Sequence, residues 1–231
     1  MSTTDTAAAA GPQPFTLPRK PHYVTLAADC DFFALFQKIE RRFDTCYMLE
    51  SLGEDSHMAR HSIIGFDPEY TLYANGNTLS IENRDGDANH YPSDNPYELL
   101  RSLIPQNIIS RKYAGGLSGY LGYDAMQYFE PSLTLKASDD FDTFRFGLYK
   151  DGLILDKMTG EVTYFYYDNS RYAFLQTLID ADDEPAGPLH ITALGDTMSK
   201  AEHAEAVAKV KQDIIDGKVF QCEVGFKKRF R

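Results

Sequence analysis

Apolar residues recur every three or four positions in four stretches of the chain, which is the pattern of helices that bury one face. Two of these stretches open with clear start signals. Asn95-Pro96-Tyr97-Glu98 combines an N-cap with a proline at the first helical position, and Ser199 with Glu202 forms a capping box. The apolar positions of the predicted helices are Phe32, Leu35, Phe36 and Ile39; Leu99, Leu100 and Leu103; Phe174, Leu175, Leu178 and Ile179; and Val207, Val210 and Ile214, with Gly217 ending the last helix.

Short runs of apolar and aromatic residues lie between these helices and favour β-strands. Asn75-Gly76 and the segment 157–160 separate neighbouring runs and supply the turn residues of two hairpins. The predicted strands are 46–49, 61–64, 70–73, 78–81, 115–123, 144–155, 161–167 and 219–226. Because hairpins build antiparallel sheets, the pattern predicts an α+β fold of antiparallel sheets with packed helices.

Changes in composition divide the chain into four parts. Residues 1–20 are small, polar and proline-rich, and predict a flexible N-terminal arm. Residues 21–180 hold most of the predicted elements and form a first domain. Residues 181–197 begin with an acidic run rich in proline and glycine and predict a linker. Residues 198–231 carry one helix and one strand, too little for a core, and predict the truncated beginning of a second domain.

The charge balance excludes some functions. The 231 residues contain 23 Lys and Arg against 34 Asp and Glu, a net charge of −11, without the basic face that nucleic-acid binding needs. No apolar run reaches the roughly 18–20 residues of a membrane helix. Cys30, Cys46 and Cys222 are widely spaced, as expected of reduced thiols. We expect a cytoplasmic protein that binds neither nucleic acid nor membranes.

Two motifs resemble a zinc site and a phosphate-binding loop, but a structural role explains each of them better. His57 and His61 have the spacing of a helical zinc pair, but the glutamate of that motif is missing and the segment leads into a strand. The glycine-rich segment 115–124 lacks the order of a phosphate-binding loop, so we interpret its glycines as positions of close sheet packing. We predict no metal site in this chain.

Polar residues on two predicted strands are better candidates for a binding site. Glu50 and Ser51 follow Leu49 at a strand end, where a carboxylate, a hydroxyl and an apolar wall could hold an ammonium-bearing ligand. The alternative is an ordinary polar strand end in solvent. Gln221 lies among apolar residues of the last predicted strand, where a buried polar group needs a partner from a ligand or another part of the protein.

Four motifs in order resemble the chorismate-using subunit of anthranilate synthase, component I, and its relative aminodeoxychorismate synthase component I. These motifs are residues 48–51, 59–68, 115–124 and 198–221, so the resemblance extends from about 47 to 226. It implies that residues 21–180 are the N-terminal domain of that family, and that residues 198–231 begin its chorismate-binding domain.

The resemblance also implies a function. Such an enzyme converts chorismate and ammonia to anthranilate and pyruvate in tryptophan biosynthesis, and is inhibited by tryptophan, which Leu49, Glu50 and Ser51 are expected to bind. Gln221 is expected near the chorismate ring, where an amide suits an enzyme that accepts ammonia because an amide cannot deprotonate water. Ammonia comes from a glutamine amidotransferase subunit, component II.

The catalytic glutamates and Mg²⁺ ligands of this family lie in its C-terminal half. We therefore expect the cofactor to be bound outside this chain, and the chain to be inactive alone. Two alternatives stay open: aminodeoxychorismate synthase of the folate pathway, and a non-catalytic module that binds an amino acid or contacts another subunit.

Overall fold

A computed structural model describes residues 11–28, 30–51, 59–105, 108–110, 112–136, 140–182 and 187–231. The chain divides into two compact units, Met1–Asp183 and Glu184–Arg231. The elements described in the first unit are β1 (His22–Ala28), α1 (Phe32–Glu40), β2 (Cys46–Glu50), β3 (His61–Phe66), β4 (Tyr70–Asn75), β5 (Thr78–Asn83), β6 (Ala88–Pro92), α2 (Pro96–Leu103), β7 (Gly116–Leu121), a 3₁₀ helix (Tyr123–Tyr128), β8 (Phe144–Tyr149), β9 (Asp151–Asp156), β10 (Glu161–Tyr166) and α3 (Tyr172–Asp180). Those described in the second are β11 (Ala193–Asp196), α4 (Lys200–Ile215) and β12 (Lys228–Phe230).

The first unit contains two antiparallel five-stranded sheets. Sheet A has the order β1-β10-β9-β3-β2, and sheet B has the order β6-β5-β4-β8-β7. The chain passes between the sheets twice with few connecting residues, from β3 to β4 and from β8 to β9. The predicted α+β fold of antiparallel sheets with packed helices is confirmed, and so are both hairpins, whose turns use the positive φ angles of Gly76 (56°) and Gly160 (72°).

Each sheet buries one face against helices. On sheet A, residues such as Ile64, Leu153 and Tyr164 pack with Leu35 of α1 and Leu175 of α3. On sheet B, a second core packs around α2, and its buried members are Leu72, Ala74, Leu79, Leu100, Leu103, Phe144 and Leu148. Each strand contributes every second side chain to the buried face of its sheet, because successive side chains point to opposite faces.

Side-chain caps start two of these helices, and the sequence predicts one of the two. Asn95 accepts hydrogen bonds from the backbone N–H groups of Tyr97 and Glu98, both at 3.1 Å, as the sequence predicts. The carboxylate of Asp31 caps α1 by accepting from the N–H of Ala34 at 2.9 Å. Phe15 and Leu17 lie in the segment expected to belong to the flexible arm. Leu17 is buried, and Phe15 stacks on Tyr70 with ring centroids 5.2 Å apart.

The second unit corrects two expectations. The capping box of Ser199 and Glu202 is present, and α4 ends before Gly217 at φ 72°. The prediction of a strand over 219–226 is wrong. The strand in this region is β12, Lys228–Phe230, which pairs with β11. A strand requires a neighbour that accepts its hydrogen bonds, and in the described part of this unit β11 pairs with β12 instead. The stripe predicted to be buried on α4 is half-buried at Val207 and Val210 and exposed at Ile214.

In the described residues, no helix has the length and apolar character needed to cross a membrane.

Candidate functional site

The end of β2 carries the residues expected to bind tryptophan. Leu49 pairs with Ile63 of β3, and Glu50 pairs with Ser62. Met48, on the face of Glu50, packs against the core under α1 and α3, so Leu49 lies on the opposite face of sheet A. Leu49 is 52% exposed, and Glu50 and Ser51 are also exposed. The strand end therefore holds Leu49 and Glu50 next to each other in sequence but on different faces.

A cleft of about 410 Å³ opens on the face of sheet A that carries Leu49. Its floor contains Ile63, Ile154 and Thr163, which are consecutive cross-strand neighbours of Leu49 in β3, β9 and β10. Lys112 and Tyr113 contribute from the segment before β7. The full lining is Arg60, His61, Ile63, Lys112, Tyr113, Ile154, Asp156, Glu161 and Thr163.

Charges of both signs line this cleft. Arg60 donates to the Oδ2 of Asp156 from Nε at 2.9 Å and from a terminal nitrogen at 2.5 Å. The hydrogen bonds from Arg60 hold the pKa of the Asp156 carboxyl below its ordinary value. The Thr163 hydroxyl donates to the Glu161 carboxylate at 3.0 Å. An apolar floor between cationic and anionic side chains suits a small zwitterion with an apolar side chain.

Tyr113, which lines this cleft, is linked through Tyr47 to sheet B. The hydroxyls of Tyr47 and Tyr113 form a hydrogen bond, and the Tyr47 ring packs edge-on against Tyr149 of β8 at 4.9 Å. Burial raises the pKa of both the Tyr47 and Tyr113 hydroxyls, so they stay protonated at neutral pH. Tyr23 also donates to the carbonyl of Tyr113 at 3.0 Å. Tyr113 therefore contributes a neutral, hydrogen-bonded side chain to the cleft.

Gly115 and Gly119 have the close-packing role that the sequence predicts for the glycines of 115–124, whereas a Cβ on Gly116 would meet nothing within 4 Å. A Cβ on Gly119 would lie 1.9 Å from the carbonyl oxygen of Arg145, and one on Gly115 would lie 2.3 Å from that of Tyr149. The motif is therefore a place of close strand packing, as interpreted from the sequence. Its Asp124 is buried and accepts a hydrogen bond from Thr143 at 3.2 Å.

Gln221 lies in the second unit, in the segment between α4 and β12, and is exposed. The structure therefore places it outside regular secondary structure and assigns it to a different unit from Leu49, Glu50 and Ser51. His57 lies outside the described residues, as does the rest of 52–58. Among the described residues, no three His, Cys, Asp or Glu side chains come together as metal ligands would. The described residues therefore offer no set of carboxylates that fits Mg²⁺.

A family model described as "chorismate binding enzyme" matches residues 44–227. The chain belongs to the chorismate-binding enzyme family. Among curated members, it is 37% identical to "Anthranilate synthase component 1" of Leptospira biflexa, over 93% of this chain and 46% of that protein. It is 33% identical to the protein of the same name in Methanothermobacter marburgensis, over 82% of this chain and 40% of that one.

These matches confirm the resemblance to anthranilate synthase component I. The chain spans about half the length of the curated relatives it matches. A crystal structure of anthranilate synthase component I from Streptococcus pneumoniae aligns with 84% of this chain and 45% of that one, at 16% identity and a TM-score of 0.49.

Sequence reasoning did not find the cleft. Arg60 is distant in sequence from Asp156 and Glu161, and the three residues meet because β3, β9 and β10 are neighbours in sheet A. The one available signal was the hairpin at 157–160, which predicts that the residues flanking it lie side by side.

Proposed function

We propose that this chain is the N-terminal part of an anthranilate synthase component I, and that the complete protein converts chorismate and ammonia to anthranilate and pyruvate. The observation that carries the proposal is 37% identity over 93% of the chain to a protein with that name. Ammonia is supplied by a glutamine amidotransferase subunit, and Mg²⁺ is bound by residues beyond those described here.

The proposed contribution of the first unit is regulation by tryptophan at the end of β2. Leu49 is exposed beside the apolar floor of the cleft and offers a surface for an indole ring. Glu50 and Ser51 are accessible to an ammonium group. Gln221 in the second unit contributes a neutral amide near chorismate, and this amide allows ammonia to approach without activating water.

The test is product analysis with the complete protein. Chorismate, Mg²⁺ and an ammonium salt should yield anthranilate, detected by its fluorescence, and pyruvate in equal amounts. Residues 1–231 alone should give neither. Formation of aminodeoxychorismate without pyruvate would assign the protein to the folate branch. Absence of any chorismate consumption would instead favour the non-catalytic module.

A further inference from the structure

The turn between β9 and β10 is fixed by its own hydrogen bonds. The N–H groups of Thr159 and Gly160 donate to the carbonyl oxygen of Asp156 at 3.2 and 2.8 Å. The N–H of Met158 donates to the Asp156 carboxylate at 3.0 Å. Gly160 has the positive φ that the turn requires. These hydrogen bonds fix the backbone of the turn that carries Lys157.

This turn contacts the chain on both sides of residues 52–58. On one side, the ammonium of Lys157 donates to the carbonyl oxygen of Ser51. On the other, the Lys157 N–H donates to the carbonyl oxygen of Arg60 at 2.8 Å, and the Arg60 guanidinium binds the Asp156 carboxylate. Two adjacent residues thus hold positions 51 and 60 from a strand distant in sequence.

Ser51 depends on this contact because of where it lies. Among the described strands, β2 lies at the edge of sheet A and pairs only with β3, and its last registered pair is Glu50 with Ser62. Ser51 follows that pair. The end of an edge strand frays by local unfolding unless a further contact stabilises it. The Lys157 side chain is the group that holds the Ser51 carbonyl.

We propose that Lys157 is a positioning residue for inhibition by tryptophan, because it holds the Ser51 carbonyl, and with it the end of the Leu49–Ser51 segment, before the ligand arrives. Asp156 supports Lys157 by accepting the Met158 N–H within the same turn. A preorganised segment binds more tightly because less conformational freedom is lost on binding. The inference rests on the proposed tryptophan site.

A purely structural role for the Lys157 contact predicts a lower melting temperature when that contact is lost. The hydrogen bond from Lys157 to Ser51 is exposed, and the neighbouring Arg60 and Asp156 side chains are 37% and 19% accessible. Exposed ionic contacts of this kind contribute little to the free energy of unfolding. Loss of the Lys157 contact should therefore change tryptophan inhibition without changing the melting temperature.

The experiment compares three lysine variants in the complete protein. Lys157→Met removes the ammonium, and Lys157→Arg keeps a donor. Lys38→Met is the matched control, because Lys38 also donates to a distant backbone carbonyl, that of Ala181 at 2.6 Å. The readouts are the tryptophan concentration that halves anthranilate formation, kcat without tryptophan, the melting temperature, and hydrogen exchange at the Ser51 amide.

We expect Lys157→Met to raise the half-inhibitory tryptophan concentration by about fivefold. It should also speed exchange at Ser51 and leave the melting temperature and uninhibited kcat unchanged. Asp156→Asn should act in the same direction, and Lys157→Arg and Lys38→Met should behave like the wild type. Inhibition of Lys157→Met within twofold of wild type contradicts this inference alone. A wild-type protein that tryptophan does not inhibit contradicts the proposed regulation, and this inference with it.

Discussion

Arg171 and Asp151 form a bidentate ion pair, with Nε 2.7 Å from one carboxylate oxygen and a terminal nitrogen 2.5 Å from the other. The Asp151 side chain is 7% exposed and also accepts a hydrogen bond from the Tyr164 hydroxyl at 2.8 Å. The guanidinium carbon lies 4.3 Å from the centre of the Phe66 ring. The pair joins the start of α3 to the strand β9 immediately after the chain crosses from sheet B to sheet A.

Arg171→Met should lower the free energy of unfolding by about 3 kcal/mol or more, because it leaves the Asp151 carboxylate buried without its cation. Urea denaturation measures the change. The control is Arg101→Met, which removes an exposed ion pair with Glu98 and should cost less than about 1 kcal/mol. Equal losses in the two variants would show that the buried pair contributes no more than a surface contact.

Stability should fall as the pH rises from about 10 to about 12. Burial raises the pKa of Tyr149 and that of Tyr167 to about 12, whereas tyrosine in an unfolded chain titrates near 10. The folded state therefore binds more protons than the unfolded state in this window, and its stability decreases with pH. Below pH 10 both states are protonated and this contribution is constant.

Urea denaturation at several pH values, with tyrosinate absorbance followed in parallel, measures this dependence. Tyr149→Phe and Tyr167→Phe should each reduce the slope, because each removes one group with a raised pKa. A stability that stays level up to pH 12 would rule out the proposed linkage.

Two buried serines should respond oppositely to the same substitution. Ser62 is fully buried, and its hydroxyl has no hydrogen-bond partner within the described part of the chain. Ser80 is also buried, and its hydroxyl lies 2.8 Å from Nδ1 of His90. Ser80→Ala should cost about 1 kcal/mol, whereas Ser62→Ala should be neutral or stabilising, since it removes an unpaired hydroxyl. Thermal or urea unfolding of both variants measures the change in the free energy of unfolding. A loss in Ser62→Ala as large as that in Ser80→Ala would contradict the expectation.

Local signals in the sequence were sufficient for elements that are stabilised locally. The cap at Asn95 and the turns at Gly76 and Gly160 depend on residues a few positions apart, and the structure has all three. The strand predicted at 219–226 failed because its apolar residues favour a strand without specifying a partner, and β11 pairs further along the chain. The pairing of Arg60 with Asp156 could not be predicted either, because it depends on the strand order of sheet A.

The role of Gln221 can be tested by changing its charge. Gln221→Lys in the complete protein should lower kcat/KM for anthranilate formation by about tenfold, because under the proposed function it introduces a charged base on the path of ammonia. Gln212→Lys, also exposed in the second unit, is the matched control and should have little effect. Turnover equal to that of the wild type, with the fold intact, would make Gln221 a surface glutamine.

The Leu49–Ser51 segment is tested most directly by tryptophan affinity. A charge-assisted hydrogen bond contributes roughly 1.5–3 kcal/mol, so Glu50→Gln in the complete protein should weaken tryptophan binding by about tenfold or more. Ser51→Ala should weaken it by less, because a neutral hydroxyl contributes less than a carboxylate.

The matched control is Glu161→Gln. Glu161 is a glutamate of the cleft on the face of sheet A that carries Leu49, whereas Glu50 projects from the other face. Calorimetry with tryptophan on the wild type and the three variants separates the possibilities. Weaker binding in Glu50→Gln but not in Glu161→Gln places the ammonium group at the strand end. Weaker binding in Glu161→Gln alone places it in the cleft, with the indole ring on Ile63 and Ile154. Equal affinity in all four proteins would mean that neither carboxylate holds the ligand and that β2 ends in an ordinary polar terminus.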